Sequence, residues 1–151
     1  MQAPPRNTVG IALRRALYTF RQVLEVRLRP LNLSLPLAGI LVALGQEDGL
    51  SGAELARRET VTAQTMNQLV MRLVERGLVD RRRHHTHGRV LTVHLTRAGE
   101  AALVDALAVA AEEEERMLSG FSPRERQQLL GYLERCVDML GPPSHKFRRF
   151  A

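Results

Sequence analysis

Apolar residues recur at three- and four-residue steps through Val9, Leu13, Ala16, Leu17, Phe20, Leu24 and Leu28, the spacing of one helix face. With Thr8 as N-cap and Pro30 as stop, this predicts a first helix over 9–29, about five turns long. Ser34 is placed to cap a second helix with Pro36 in its first turn and a stripe of Leu37, Ile40, Leu41 and Leu44, ending at Gly45 to Gly49. Ser51 and Glu54 then form an S-x-x-E capping box, in which each side chain satisfies a backbone N–H that a helix start leaves unpaired. A short third helix over 52–58 follows. After a turn at Glu59 to Val61, Thr62 caps a fourth helix to residue 76, with Met66, Leu69, Val70, Leu73 and Val74 on one face and Gly77 just past its end. The other face of this helix reads Ala63, Gln64, Asn67, Gln68 and Arg72.

The period then drops to two. Leu78 and Val79 begin a strand that runs into Arg81 to Arg83, and in its partner Leu91, Val93 and Leu95 alternate with Val90, Thr92 and His94, with a tip at His84 to Gly88. A two-stranded hairpin of this length needs the helical core for support. Thr96 caps a fifth helix over 97–118, and Ser122, Pro123 and Glu125 repeat the capping-box chemistry ahead of a sixth over 122–140, stopped by Gly141 and Pro142. The pattern is mainly α with a small β-hairpin: six helices in one unit over 1–151, with no internal repeat or linker. The apolar stripes of 9–29, 97–118 and 122–140 exceed what one small domain can cover, which predicts a homodimer. Residues 8–33 and 97–141 are then the dimerisation helices, 34–96 a separate lobe and 142–151 a tail.

A chain of 151 residues, 44% hydrophobic and 25% charged, has the make-up of a folded domain rather than of a disordered segment. The apolar runs fall well short of the ~20 residues that span a bilayer, so no membrane partner is expected. Met1 to Arg15 lacks the apolar core of a secretory signal, and a cytoplasmic location is expected. The single cysteine, Cys136, excludes an intrachain disulfide framework and reads as a small buried hydrophobe.

Charge changes the picture more. The formal net charge is +6 and the isoelectric point near 10.8. Residues 51–97 hold nine arginines against four acids, whereas 98–118 hold six acids against Arg116 alone. Focused basicity of this kind points to an anionic partner. Two short helices joined by a tight turn, the second with amide, hydroxyl and guanidinium groups on its free face, make a helix-turn-helix whose second helix fits a DNA major groove. The arginine-bearing hairpin that follows makes a wing. The candidate DNA contacts are Ser51, Thr62, Ala63, Gln64, Thr65, Asn67, Gln68, Arg72, Arg81, Arg82, Arg83, His87 and Arg89. Two core helices with merely solvated polar faces would not explain why the positive charge concentrates there.

Other constellations are weaker. His84, His85 and His87 could ligate a metal, but a hairpin tip is poorly preorganised, so they read as solvated or phosphate-facing and no metal site is assigned. Glu112 to Glu115 reads as a solvated helix face. The sequence has no glycine-rich phosphate loop, no nucleophile elbow and no H-E-x-x-H. An enzyme is disfavoured, and neither a catalytic residue nor a cofactor is assigned. A ligand-independent or architectural DNA-binding protein is the alternative to a sequence-specific regulator, though Gln64, Thr65, Asn67 and Gln68 argue for base reading.

The chain resembles the multiple-antibiotic-resistance regulator (MarR) family of winged helix-turn-helix transcription factors. The resemblance is carried by Leu50-Ser-Gly-Ala-Glu-Leu-Ala56, by Thr62-Ala-Gln-Thr65, by Leu69-Val-Met-Arg-Leu-Val-Glu-Arg-Gly-Leu-Val79 and by Leu95-Thr-Arg-Ala-Gly99, and by their order. It implies an obligate homodimer built by the first and last two helices, a pseudo-palindromic double-stranded DNA operator, and repression relieved by a small phenolic or anionic effector. It also suggests a pocket beside the second and fifth helices, lined by Tyr18 and Phe20, with Arg14, Arg15 and Arg21 nearby and core or dimer packing as the alternative for the two aromatic residues. Two departures stand out. His87-Gly88-Arg89 occupies the wing tip where members commonly carry Asp-x-Arg, and Glu59-Thr60 stands where the turn usually carries Leu-Gly, which predicts an altered turn because Gly tolerates positive φ and Thr does not.

Overall fold

Hydroxyl side chains open most of the helices, as their positions predict. In the computed structural model, which describes residues 8–83 and 91–140, the first helix, α1 (Val9–Leu28), starts where Thr8 Oγ1 accepts from the Ile11 amide at 3.3 Å. A 3-10 turn at Arg29–Leu31 leads to α2 (Leu35–Gln46). Ser34 precedes α2, but its side chain makes no capping bond; Glu25 of α1 reaches across instead, its Oε2 accepting from the Leu35 amide at 2.7 Å. A carboxylate at a helix N-terminus meets both an orphan donor and the positive end of the dipole. The cap is therefore tertiary.

Leu50–Ser51 forms a short strand, β1, and leads directly into α3 (Gly52–Arg58). The capping box is complete: the Ser51 amide and hydroxyl donate to Glu54 Oε2 at 2.8 and 2.6 Å, and the Glu54 amide donates back to Ser51 Oγ at 3.3 Å. These donors hold the Glu54 carboxyl below its ordinary range, the Ser51 hydroxyl first. Next come α4 (Ala63–Glu75), β2 (Val79–Arg83), β3 (Leu91–Leu95), α5 (Arg97–Met117) and α6 (Pro123–Leu140).

The hairpin is not two-stranded. β1 pairs antiparallel with β3 on the edge away from β2, giving the order β1-β3-β2, with Leu50 opposite Val93 and Ser51 opposite Thr92. Residues 50–51 are too few to show a period of two, so this strand leaves no sequence signature; it is recruited because β3 offers an unpaired edge there.

The core lies in the central lobe. Ile40 and Leu41 of α2, Leu55 of α3, and Met66, Val70 and Leu73 of α4 are fully buried, and Leu50 and Val93 close the sheet side. Ala106 and, at its rim, Leu103 bring α5 against α2. Gly99 lets α5 sit on the wing: a Cβ there would fall 1.9 Å from the Leu78 carbonyl oxygen. The flanking helices are different. Helix α6 buries no residue, and Leu13, Leu17, Val104, Leu107, Leu130, Leu133 and Val137 are exposed in the single chain. Cys136 is exposed too, which corrects its reading as a buried hydrophobe.

Candidate nucleic-acid interface

Helix α4 is strongly two-sided. Met66, Val70 and Leu73 anchor it, and this leaves Ala63, Gln64, Thr65, Asn67, Gln68 and Arg72 all exposed on its outer side. Its N-cap Thr62 accepts from the Thr65 amide at 3.1 Å, and the two threonine hydroxyls lie 2.9 Å apart. At the far end the Arg76 guanidinium donates to the Asn32 carbonyl at 2.5 Å and to Leu31 at 3.3 Å, tying α4 to the turn after α1. Helix α3 is braced by an ion pair between Arg58 and Glu47 at the end of α2. Ser51 spends its hydroxyl and amide on Glu54, so its role is first to start α3.

The turn between α3 and α4 keeps left-handed backbone despite its sequence. Thr60 adopts φ 55°, the conformation that a glycine would take without cost. The altered turn expected from Glu59-Thr60 is thus replaced by a strained one. Beside it, Glu59 is half-buried against α2, where a Cβ on Gly39 would come within 2.7 Å of its Oε2. Burial pushes the Glu59 carboxyl above its ordinary range, and the charge of Arg21 opposes that rise.

The wing sheet sorts its arginines by face. Val79, Arg81 and Arg83 alternate with Asp80 and Arg82, and Val79 and Val93 are buried on the side toward α4. Arg81 donates from Nη2 to Asn67 Oδ1 at 2.7 Å, joining wing and α4. Arg82 faces the other way and pairs with Asp80 at 2.9 Å, and both Asp80 and Asp48 act on its charge. Below it His94 Nδ1 lies 3.0 Å from both oxygens of Asp48 and Nε2 lies 2.9 Å from Thr92 Oγ1. Arg81 and Arg82, adjacent in sequence, are therefore not equivalent. His84, His85, His87 and Arg89 lie outside the described residues, as does the tail at 142–151.

A groove of about 490 Å³ runs between α1 and α5, lined by Arg15, Thr19, Phe20, Glu113, Arg116 and Met117 among others. Arg14, Tyr18 and Arg21 do not line it. They project from the opposite face of α1, and Tyr18 is 64% exposed. Glu113 is not part of a solvated acidic face: only 6% exposed, it holds Arg27 Nε of α1 at 2.8 Å. Arg116 Nε lies 2.7 Å from its other oxygen, without the alignment of a hydrogen bond. Glu112 and Glu115 are exposed, as expected. Among the described residues no group of side chains has metal-ligand geometry, and no single helix is long and apolar enough to cross a membrane.

The MarR family model matches residues 31–90, which span the helix-turn-helix and the first strand of the wing. The HTH-type transcriptional repressor Rv2887 of Mycobacterium tuberculosis is 35% identical over 127 residues, covering 84% of this chain and 91% of that protein. The chain belongs to the MarR family. Two crystal structures of Rv2887 superpose on it. The complex with salicylic acid has a TM-score of 0.74 at 32% identity, covering 89% of this chain and 100% of the other. The complex with DNA has a TM-score of 0.75 at 31% identity, covering 86% and 98%. As a member of this family the chain is a transcriptional regulator of winged helix-turn-helix fold and not an enzyme.

Proposed function

We propose that this MarR-family chain is an intracellular homodimeric repressor that reads a pseudo-palindromic operator with two copies of α4 and is released by a small aromatic anion. The observation that carries it is the exposed face of α4, where Gln64, Thr65, Asn67, Gln68 and Arg72 stand together beside an arginine-bearing wing. Amide and guanidinium groups on one helix face match base edges in the major groove. In this reading Thr62, Ala63, Arg81 and Arg83 border the DNA, Ser51 seats α3 over the backbone, Arg82 contributes charge from the far face, and His87 and Arg89 serve the wing tip.

Dimerisation is supported by α6, which buries nothing, and by the leucines left bare on α1 and α5. The parts divide accordingly, with 34–96 as the DNA-binding lobe between dimerisation segments 8–33 and 97–141. An effector has a receiving surface in the groove between α1 and α5: Phe20 and Met117 offer apolar area, and Arg15 and Arg116 offer charge for a carboxylate. That groove supports the effector role better than Arg14, Tyr18 and Arg21 do. Rv2887, solved with salicylic acid, supports the chemical class.

Fluorescence anisotropy on the duplex upstream of the chain's own gene tests the reading. Wild type binds it at least tenfold more tightly than a scrambled duplex, Gln64→Ala and Gln68→Ala each lose about 1–3 kcal/mol on that site alone, and millimolar salicylate releases the DNA. Equal affinity for both duplexes would favour the architectural alternative, and a monomer by light scattering would remove the palindrome.

A further inference from the structure

Among the amides on the free face of α4, Asn67 has its carbonyl oxygen occupied. Arg81 reaches it from β2, with Nη2 at 2.7 Å from Oδ1. A guanidinium has donors and no acceptor, so the amide atom turned toward it is the oxygen and the NH2 group faces outward. The arrangement is not a chance meeting of two loose side chains. Arg81 springs from a strand paired with Val93, on the sheet face whose Val79 and Val93 are buried, and Asn67 follows directly on the fully buried Met66.

The consequence is chemical. A free asparagine reads adenine with both ends: its oxygen accepts from N6–H and its NH2 donates to N7. Arg81 takes one of the oxygen's two lone pairs, and its positive charge beside the oxygen repels the N6–H donor that would approach the other, so the adenine pair is weakened at that bond. The NH2 keeps two protons for acceptors, which guanine presents at O6 and N7 and thymine at O4. We infer that Arg81 is a specificity-determining positioning residue that biases Asn67 toward donating from its NH2 group, so that the base opposite Asn67 is guanine or thymine rather than adenine. The inference rests on the reading that α4 lies in the major groove. It assigns Arg81 a part in base selection, beyond supplying positive charge to the backbone.

Selection from a library of random duplexes, followed by sequencing, tests it with the full-length dimer. Wild type selects guanine or thymine at one position of each half-site, and Asn67→Ala loses the preference at that position only. Arg81→Met keeps the aliphatic stem but frees Oδ1, and the adenine share at the same position rises by roughly fivefold or more. Arg81→Lys, which still donates to Oδ1, keeps the wild-type preference. Arg81→Met that weakens every selected site alike, with the base preference unchanged, would overturn the inference and leave Arg81 a phosphate contact. So would Asn67→Ala with no change at any position. Enrichment of no sequence by wild type would instead defeat the proposed function itself, and the inference with it. Unaltered far-ultraviolet circular dichroism establishes that each variant is folded.

Discussion

Glu113 of α5 lies 2.8 Å from Arg27 of α1 while almost wholly removed from solvent, so a buried charge joins the helix pair, with Arg116 one turn on in α5 as its second cationic neighbour. Taking away Arg27 leaves the buried carboxylate with Arg116 as its cation among these pairs, whereas removing both charges together leaves no carboxylate to satisfy. Arg27→Ala is expected to cost about 1–3 kcal/mol, read as a fall in Tm at fixed protein concentration. The double variant Arg27→Met, Glu113→Leu should recover most of that loss.

Thr60 holds φ 55° in the helix-turn-helix turn, and a β-branched residue in left-handed backbone stores strain. Thr60→Gly should therefore stabilise the chain, by about 1 kcal/mol. Thr60→Val, equally branched, should not. Urea unfolding checks both.

Gly99 sits where any Cβ would meet the Leu78 backbone carbonyl at 1.9 Å, and backbone cannot rotate aside as a side chain can. Gly99→Ala pushes α5 off the wing and is expected to cost about 1–3 kcal/mol or more. Gly45→Ala is a useful contrast, because its obstacle is the flexible end of Leu103. Its loss should be smaller in the same unfolding measurement.

Glu59 carries a carboxyl whose pKa is raised by burial beside Gly39. The folded state thus binds this proton more tightly than the unfolded state does. The associated stability is present in full below the unfolded pKa and is lost as pH rises through the folded one. Glu59→Gln should raise Tm near pH 7 and have little effect near pH 4. Parallel Tm profiles for variant and wild type would refute the assignment.

Arg82 shares its charge with Asp80 on the wing face turned away from α4, whereas Arg83 is exposed on the other. Arg83→Ala should reduce the salt dependence of DNA binding by about one unit of log–log slope. Arg82→Ala should reduce it by less, which titrations over a range of salt concentrations will show.

Helix positions were legible in the sequence wherever the cause was local. Thr8, Ser51, Thr62, Thr96 and Ser122 mark helix starts because a hydroxyl there bonds an amide three residues on, and all five do so. The polar face of α4 and the concentration of arginine beside it were equally open to reading, since periodicity places side chains on faces without reference to the rest of the molecule. What crosses from one element to another was not. Glu25 caps α2 in place of Ser34, Leu50–Ser51 becomes a third strand, and Glu113 is buried by an arginine 86 positions away. The same holds for the bond from Arg81 to Asn67, which needs the docking of the wing on α4, whereas the pair of Arg82 with Asp80 lies within β2. Periodicity settles which way a side chain leaves its own element; only the packed fold settles what it meets there, because that partner comes from a distant part of the chain.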